Sequence, residues 1–94
     1  MTTKAEKKWM GNIAQFGCIV CHLQGHPGTP AIVHHILKNG RRQSHLQTIP
    51  LCQPGHHMYG TNGKISRHPN KARFEAEYGT EDYLLQKTKE LVNA

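Results

Sequence analysis

Leu51-Cys52-Gln53-Pro54-Gly55-His56-His57 is the stretch that decides the reading of this 94-residue chain. Cys52 and His56 have three residues between them, and Pro54-Gly55 supplies the turn that lets both side chains converge. Upstream lies a second cluster, Cys18-Ile19-Val20-Cys21. Structural zinc takes four tetrahedral ligands, mostly Cys and His, often delivered as two close pairs. Cys18, Cys21, Cys52 and His56 are therefore the expected zinc ligands, with His22 or His26 as alternatives to His56. The plainer alternative makes Cys18 and Cys21 reduced core residues. Between the clusters sits a third element, Ile32-Val33-His34-His35-Ile36.

All eight histidines and all three cysteines fall between Cys18 and His68, and no Asp or Glu occurs from Lys7 to Phe74. A metal in this stretch is expected to sit on sulfur and imidazole, and a general base there to be a histidine. At 36% hydrophobic content the chain has little core to spare, and domains of this size often add a staple. Three cysteines cannot all pair as disulfides, and no apolar leader is seen, so a cytoplasmic, metal-binding chain is expected. No apolar run is long enough for a membrane span.

The formal charge is +6, and Lys38, Arg41, Arg42, Lys64, Arg67, Lys71 and Arg73 fill the middle of the chain. Four of the six acids, Glu75, Glu77, Glu81 and Asp82, come shortly after it. A basic field of this kind suits a polyanion partner and a salt-dependent affinity. Ordinary solubility charge is the alternative; the lack of acids beside the histidines favours nucleic acid.

Residues 2–16 read as a helix with Trp9, Ile13 and Phe16 on one face, ended by Gly17. Residues 25–30 are turn chemistry, and 31–37 is a strand. Asn39-Gly40 signals a turn, but the polar run Arg41-Arg42-Gln43-Ser44-His45 speaks against a two-residue hairpin. Thr48-Ile49-Pro50-Leu51 is a second strand, with Pro50 at an edge or at its end. A helix is expected to start near Pro54-Gly55-His56-His57, with a loop over 59–63. Asn70 can cap a short helix through Tyr78, closed by Gly79. Thr80 then caps a last helix with Glu81 and Asp82 in its first turn and Lys87 and Lys89 near its end, charges that suit the helix dipole. Tyr83, Leu84, Leu85, Leu91 and Val92 form its apolar stripe. The expected class is α+β.

With His56 on the structural metal, His34, His35, His57 and His68 remain prominent. Adjacent residues on a strand face opposite ways, so one of His34 and His35 can ligate a metal while the other deprotonates a water. Histidine, with an unperturbed pKa of about 6.5, can be a neutral base at physiological pH. A metal beside it would stabilise charge on a scissile phosphate.

His34-His35, then Ile49-Pro50-Leu51-Cys52, then His56-His57 resembles the ββα-metal finger of HNH endonucleases. More narrowly, His34-His35-Ile36, Gly40-Arg41-Arg42, His45, Pro50-Leu51-Cys52, His56-His57, His68, Phe74 and Tyr78-Gly79-Thr80-Glu81 resemble the phage Ref-type recombination-enhancement nucleases, which depend on RecA. The likeness covers roughly residues 17 to 92. It implies a small zinc-stabilised ββα-metal finger with an N-terminal helix and C-terminal helices, residues 1–16 being a helical extension and 17–94 the nuclease domain. It further implies that His35 is the general base, that His34, His57 and His68 hold a catalytic Mg²⁺, Mn²⁺ or Zn²⁺, and that Cys18, Cys21, Cys52 and His56 hold structural zinc. Lys38, Arg41 and Arg42 would grip phosphates, the substrate would be DNA, a RecA filament the partner, and a host cell carrying the phage or prophage the setting. Two positions depart from the pattern: Gln47 stands where many HNH proteins have an Asn, leaving His45 to take part of that role, and Gly55 stands where a second Cys is common. The basic N-terminal extension of the larger phage enzymes is nearly absent, and residues 1–16 would be its remnant.

The alternative is a non-catalytic zinc-finger DNA-binding or adaptor module, which would have no use for four further histidines. Cys18-Ile19-Val20-Cys21-His22 also matches a haem-attachment pattern, but such attachment requires export, for which no signal is seen.

Overall fold

A computed structural model of the chain describes residues 2–38, 41–42, 44–53, 55–57, 64–67 and 71–93. Helix α1 spans Lys4–Phe16 and begins with a capping box. Thr3 accepts a hydrogen bond from the Glu6 amide, and the Glu6 carboxylate accepts one from the Thr3 amide. Its expected inner face is the one that packs. Ile13 is fully buried, Trp9 and Phe16 lie against the core, and the Trp9 indole donates to Thr48 Oγ1 at 3.0 Å.

Gly17 stops α1 at φ +98°, and a Cβ there would stand 2.8 Å from the Thr29 carbonyl oxygen. Only glycine accommodates both demands, and its presence lets the Cys18 amide donate to that carbonyl at 2.9 Å. The chain then enters a single-turn helix α2, Ile19–Leu23, capped by the Cys18 sulfur.

Strand β1, Ile32–His35, pairs antiparallel with β4, Thr48–Leu51, placing His34 opposite Ile49 and His35 opposite Thr48. Among the described residues the sheet has two strands, so Pro50 fits there without breaking a central ladder. The ladder continues through the Ile36 amide, which donates to the Gln47 carbonyl at 3.1 Å. A second small sheet pairs β2, Leu37–Lys38, with β3, Arg41–Arg42. Here the sequence expectation needs correcting. The hairpin forms despite its polar residues, because two residue pairs joined through the backbone need no apolar face.

Residues 55–57, where a helix is expected to start, form a turn; Pro54, the residues that would continue that helix, and the expected loop at 59–63 lie outside the described residues. The Cys52–His56 contact accounts for this turn, with the His56 and His57 amides both donating back to Cys52. Helix α3 runs Lys71–Tyr78; its expected cap, Asn70, lies outside the described residues. Gly79 at φ +103° closes it, and Thr80 caps α4, Glu81–Val92, by accepting from the Tyr83 amide. Ile19, Ile49, Leu51, Phe74 and Leu84 are fully buried where α1, α2 and α4 meet the β1–β4 sheet. Tyr83, counted in the apolar stripe, is largely exposed.

Candidate functional site

Helix α2 and the turn after β4 bring Cys18, Cys21, Cys52 and His56 into one buried cluster, with all four donor atoms within 4.8 Å of one another. Tetrahedral zinc at about 2.3 Å from sulfur and about 2.0 Å from nitrogen requires sulfur–sulfur spacings of roughly 3.8 Å and sulfur–nitrogen spacings of roughly 3.5 Å. The Cys21 and Cys52 sulfurs are 3.8 Å apart, and His56 Nδ1 lies 3.4, 3.5 and 3.3 Å from the sulfurs of Cys18, Cys21 and Cys52. The residues fit a zinc ion. His56 is the fourth donor; His22 stacks on Phe16 at 4.7 Å instead, and His26 is exposed.

The electrostatics favour that use at Cys52 and His56, whereas burial at Cys18 favours the neutral thiol, which a bound metal would have to deprotonate. Burial pushes the Cys18 thiol up to about 12, and burial followed by the Lys64 charge pushes His56 down to about 4, so its imidazole is neutral. At Cys52 burial acts upward, yet the His56 amide, the neighbouring thiols and the Lys64 ammonium at 3.4 Å bring the thiol below its ordinary value. Three thiolates around one zinc ion would carry a net negative charge, which the Lys64 ammonium, 3.4 Å from the Cys52 sulfur, would offset. Lys64 also explains Gly55: a Cβ there would strike Lys64 Cδ at 2.6 Å and the Cys52 sulfur at 2.8 Å.

Beside this centre, His34 and His35 point in different directions. His34 is buried, and its Nε2 lies 2.7 Å from Glu81 Oε2. Its ring meets that of His57 edge-on, with centroids 5.2 Å apart. Glu81 Oε1 in turn accepts from Arg67 Nε at 3.0 Å, with Lys71 at 3.9 Å. Burial acts upward on the Glu81 carboxyl, but the His34 hydrogen bond and the Arg67 charge outweigh it and hold the group below the usual carboxylate range.

His35 is half-buried, and its Nε2 lies 2.8 Å from His45 Nδ1. Burial first, then the charges of Arg42, His45 and His34, lowers its pKa and favours the neutral ring. His45 is held in its turn: its carbonyl accepts from Thr48 Oγ1, the same hydroxyl that receives the Trp9 indole. Arg41 and Arg42 are exposed on β3. The Lys38 side chain and His68 lie outside the described residues.

A sequence model of the family described as recombination enhancement, RecA-dependent nuclease matches residues 2–93. The chain belongs to this family. The description names a nuclease, and so an enzyme acting on nucleic acid, and it names RecA dependence. No curated protein matches the chain. The match takes in α1 as well as the part from residue 17 onward that carries the motif resemblance.

Within this RecA-dependent nuclease family member, three residues of the site escaped the sequence reading. From the sequence Glu81 reads as a helix-dipole residue within the Tyr78-Gly79-Thr80-Glu81 stretch of the resemblance, with no site role, and Arg67 and Lys64 read as members of a basic field without acidic counterweight. The fold corrects this by bringing Glu81 in from outside the acid-free stretch. Among the described residues, no helix is long and apolar enough to cross a membrane.

Proposed function

We propose that this chain is a metal-dependent DNA endonuclease of the HNH superfamily, acting with a RecA filament in phage recombination inside the bacterial host. The observation that carries the reading is the division of labour at the end of β1. His34 turns inward to Glu81 and His57, while the adjacent His35 turns to His45 beside the arginines of β3. A binding module would need neither arrangement. Residues 17–94 would carry the nuclease and zinc sites, with residues 1–16 an extension that buttresses them through Trp9 and Ile13.

In this reading Cys18, Cys21, Cys52 and His56 hold structural zinc and fix the turn that presents His57. His34, His57 and His68 would hold a Mg²⁺, Mn²⁺ or Zn²⁺ ion, whose chemistry is to offset charge on the scissile phosphate and its leaving oxygen. His35 is the general base. With its Nε2–H donated to His45 Nδ1, the lone pair that takes the proton of the attacking water is on Nδ1. Arg41 and Arg42, with Lys38, bind the flanking phosphates, and Arg42 also helps keep His35 neutral and therefore able to accept a proton.

The test is cleavage of a plasmid and of a single-stranded circle with Mg²⁺, Mn²⁺ or Zn²⁺, with and without a RecA filament. His35→Ala should melt and bind DNA like wild type while losing a factor on the order of 10² to 10⁴ in rate. An unimpaired His35→Ala protein would hand the base to another histidine. Wild type that binds DNA yet cuts it under no condition would leave the zinc-finger adaptor as the reading.

A further inference from the structure

Thr48 opens β4 with a hydroxyl that is fully buried, at a strand position where valine would serve strand propensity as well. A buried hydroxyl costs stability unless it is hydrogen-bonded, and this one is used twice. It accepts from the Trp9 indole at 3.0 Å and donates to the His45 carbonyl at 3.0 Å. A threonine hydroxyl on the carbonyl three residues back is ordinary turn chemistry. The indole is not: it arrives from α1, 39 positions away in the chain. Thr48 is also the register partner of His35 across the sheet.

The turn that carries His45 is pinned at several further points. The Leu46 amide donates to Ser44 Oγ at 2.9 Å, the Gln47 amide to the Ser44 carbonyl at 2.8 Å, and the Ile36 amide to the Gln47 carbonyl at 3.1 Å. Helix α1 reaches this turn a second time through Glu6, whose carboxyl is held below the usual carboxylate range first by the Thr3 amide and further by His45. The His45 ring therefore has a fixed place, with its Nδ1 2.8 Å from His35 Nε2. Two imidazole nitrogens in hydrogen-bond contact share one proton, so placing one ring sets the plane and the tautomer of the other.

We infer that Trp9 and Thr48 are positioning residues for His35: indole and hydroxyl fix the His45 carbonyl, and through it the imidazole that orients the His35 ring. This role rests on the proposal that His35 is the general base. It gives α1 a part in supporting the base, and the family match, which starts at residue 2, includes that helix.

The experiment compares wild type, Thr48→Val, Thr48→Ser, Trp9→Phe and His35→Ala, all zinc-loaded, in single-turnover cleavage of plasmid DNA with Mn²⁺ and a RecA filament. DNA affinity, zinc content and melting are recorded for each, and rates are taken well below every melting temperature. Thr48→Val keeps the shape of the side chain and removes the hydroxyl. It should bind DNA like wild type and lose a factor on the order of 10 to 10² in rate, the scale of a misplacement of about 1 Å at a reacting group. Thr48→Ser keeps the hydroxyl and should cut faster than Thr48→Val, and Trp9→Phe, which loses only the indole donor, should fall between wild type and Thr48→Val. A merely structural role would lower the melting temperatures and leave the rate of the folded protein unchanged. Thr48→Val cutting like wild type, or Thr48→Ser as slow as Thr48→Val, beside an impaired His35→Ala, overturns the positioning role and spares the base. His35→Ala cutting like wild type, or wild type that does not cut, overturns both. Independently of cleavage, ¹⁵N spectra at mildly alkaline pH should show His35 as the Nε2–H tautomer in wild type and Thr48→Ser and as a mixture in Thr48→Val; an unchanged tautomer in Thr48→Val overturns the inference.

Discussion

Removing zinc should unfold this protein. The donor atoms of Cys18, Cys21, Cys52 and His56 all lie within 4.8 Å of one another, and all four residues are buried. Without the ion the centre leaves three thiols and an imidazole packed around a void, with the three sulfurs among the buried core. Structural zinc sites contribute apparent free energies of about 10–16 kcal/mol at neutral pH. The whole stability of a small domain is about 5–15 kcal/mol. The first figure matches or exceeds the second, so the apoprotein is expected to have no stable fold. The assay is stepwise chelation, with zinc content, far-ultraviolet circular dichroism and tryptophan emission followed together. Trp9 is the single tryptophan, and its hydrogen bond to Thr48 makes its emission a reading of α1 on β4. Circular dichroism, emission and melting all unchanged in protein shown to be zinc-free would refute the assignment of this centre as structural.

Two further outcomes are expected. Replacing Arg41 and Arg42 together by Ala should reduce the slope of log affinity against log salt by about 1.8 on duplex DNA, at about 0.9 per lost phosphate contact; an unchanged slope would put the DNA surface elsewhere. Gly17→Ala forces a Cβ against the Thr29 carbonyl at positive φ, and should cost about 1–3 kcal/mol. For a domain of this length each kcal/mol lowers the melting temperature by roughly 4–8 °C, so a calorimetric melt matching wild type would show that the turn can relax.

The convergence of Cys18, Cys21, Cys52 and His56 was legible because spacing and chemistry both restrict the choice: a Cys-x-x-Cys pair and a Cys–His pair bridged by a turn have few other uses. The helix ends were legible for a related reason, since Gly17, Gly79 and Thr80 act within one turn of their own positions. What escaped was carried by distance in the chain. Glu81 meets His34 across 47 positions, and no local pattern announces that contact. Lys64 covers Cys52 from 12 positions away, and together with the Cys52 sulfur it leaves no room for a Cβ at Gly55, which in the sequence is only a missing cysteine. At residues 55–57 the turn follows the sulfur of Cys52, to which the His56 amide donates, rather than the periodicity of the neighbouring sequence.

Metal held at the Cys18, Cys21, Cys52 and His56 cluster would have a topological consequence. It would tie Cys18 to His56 across 38 positions and Cys21 to Cys52 across 31, so that β1, the arginine hairpin and β4 all lie inside one closed loop of chain. Helix α4, with Glu81, lies outside that loop and is held by docking alone. Opening the loop requires giving up the ion, whereas α4 can detach in a partial opening that leaves the ion in place. Amide protons of β1 and β4 will therefore exchange on the timescale of metal loss, and those of α4 sooner. The half of the site inside the loop is the durable one, and the carboxylate delivered from outside is the part that comes and goes.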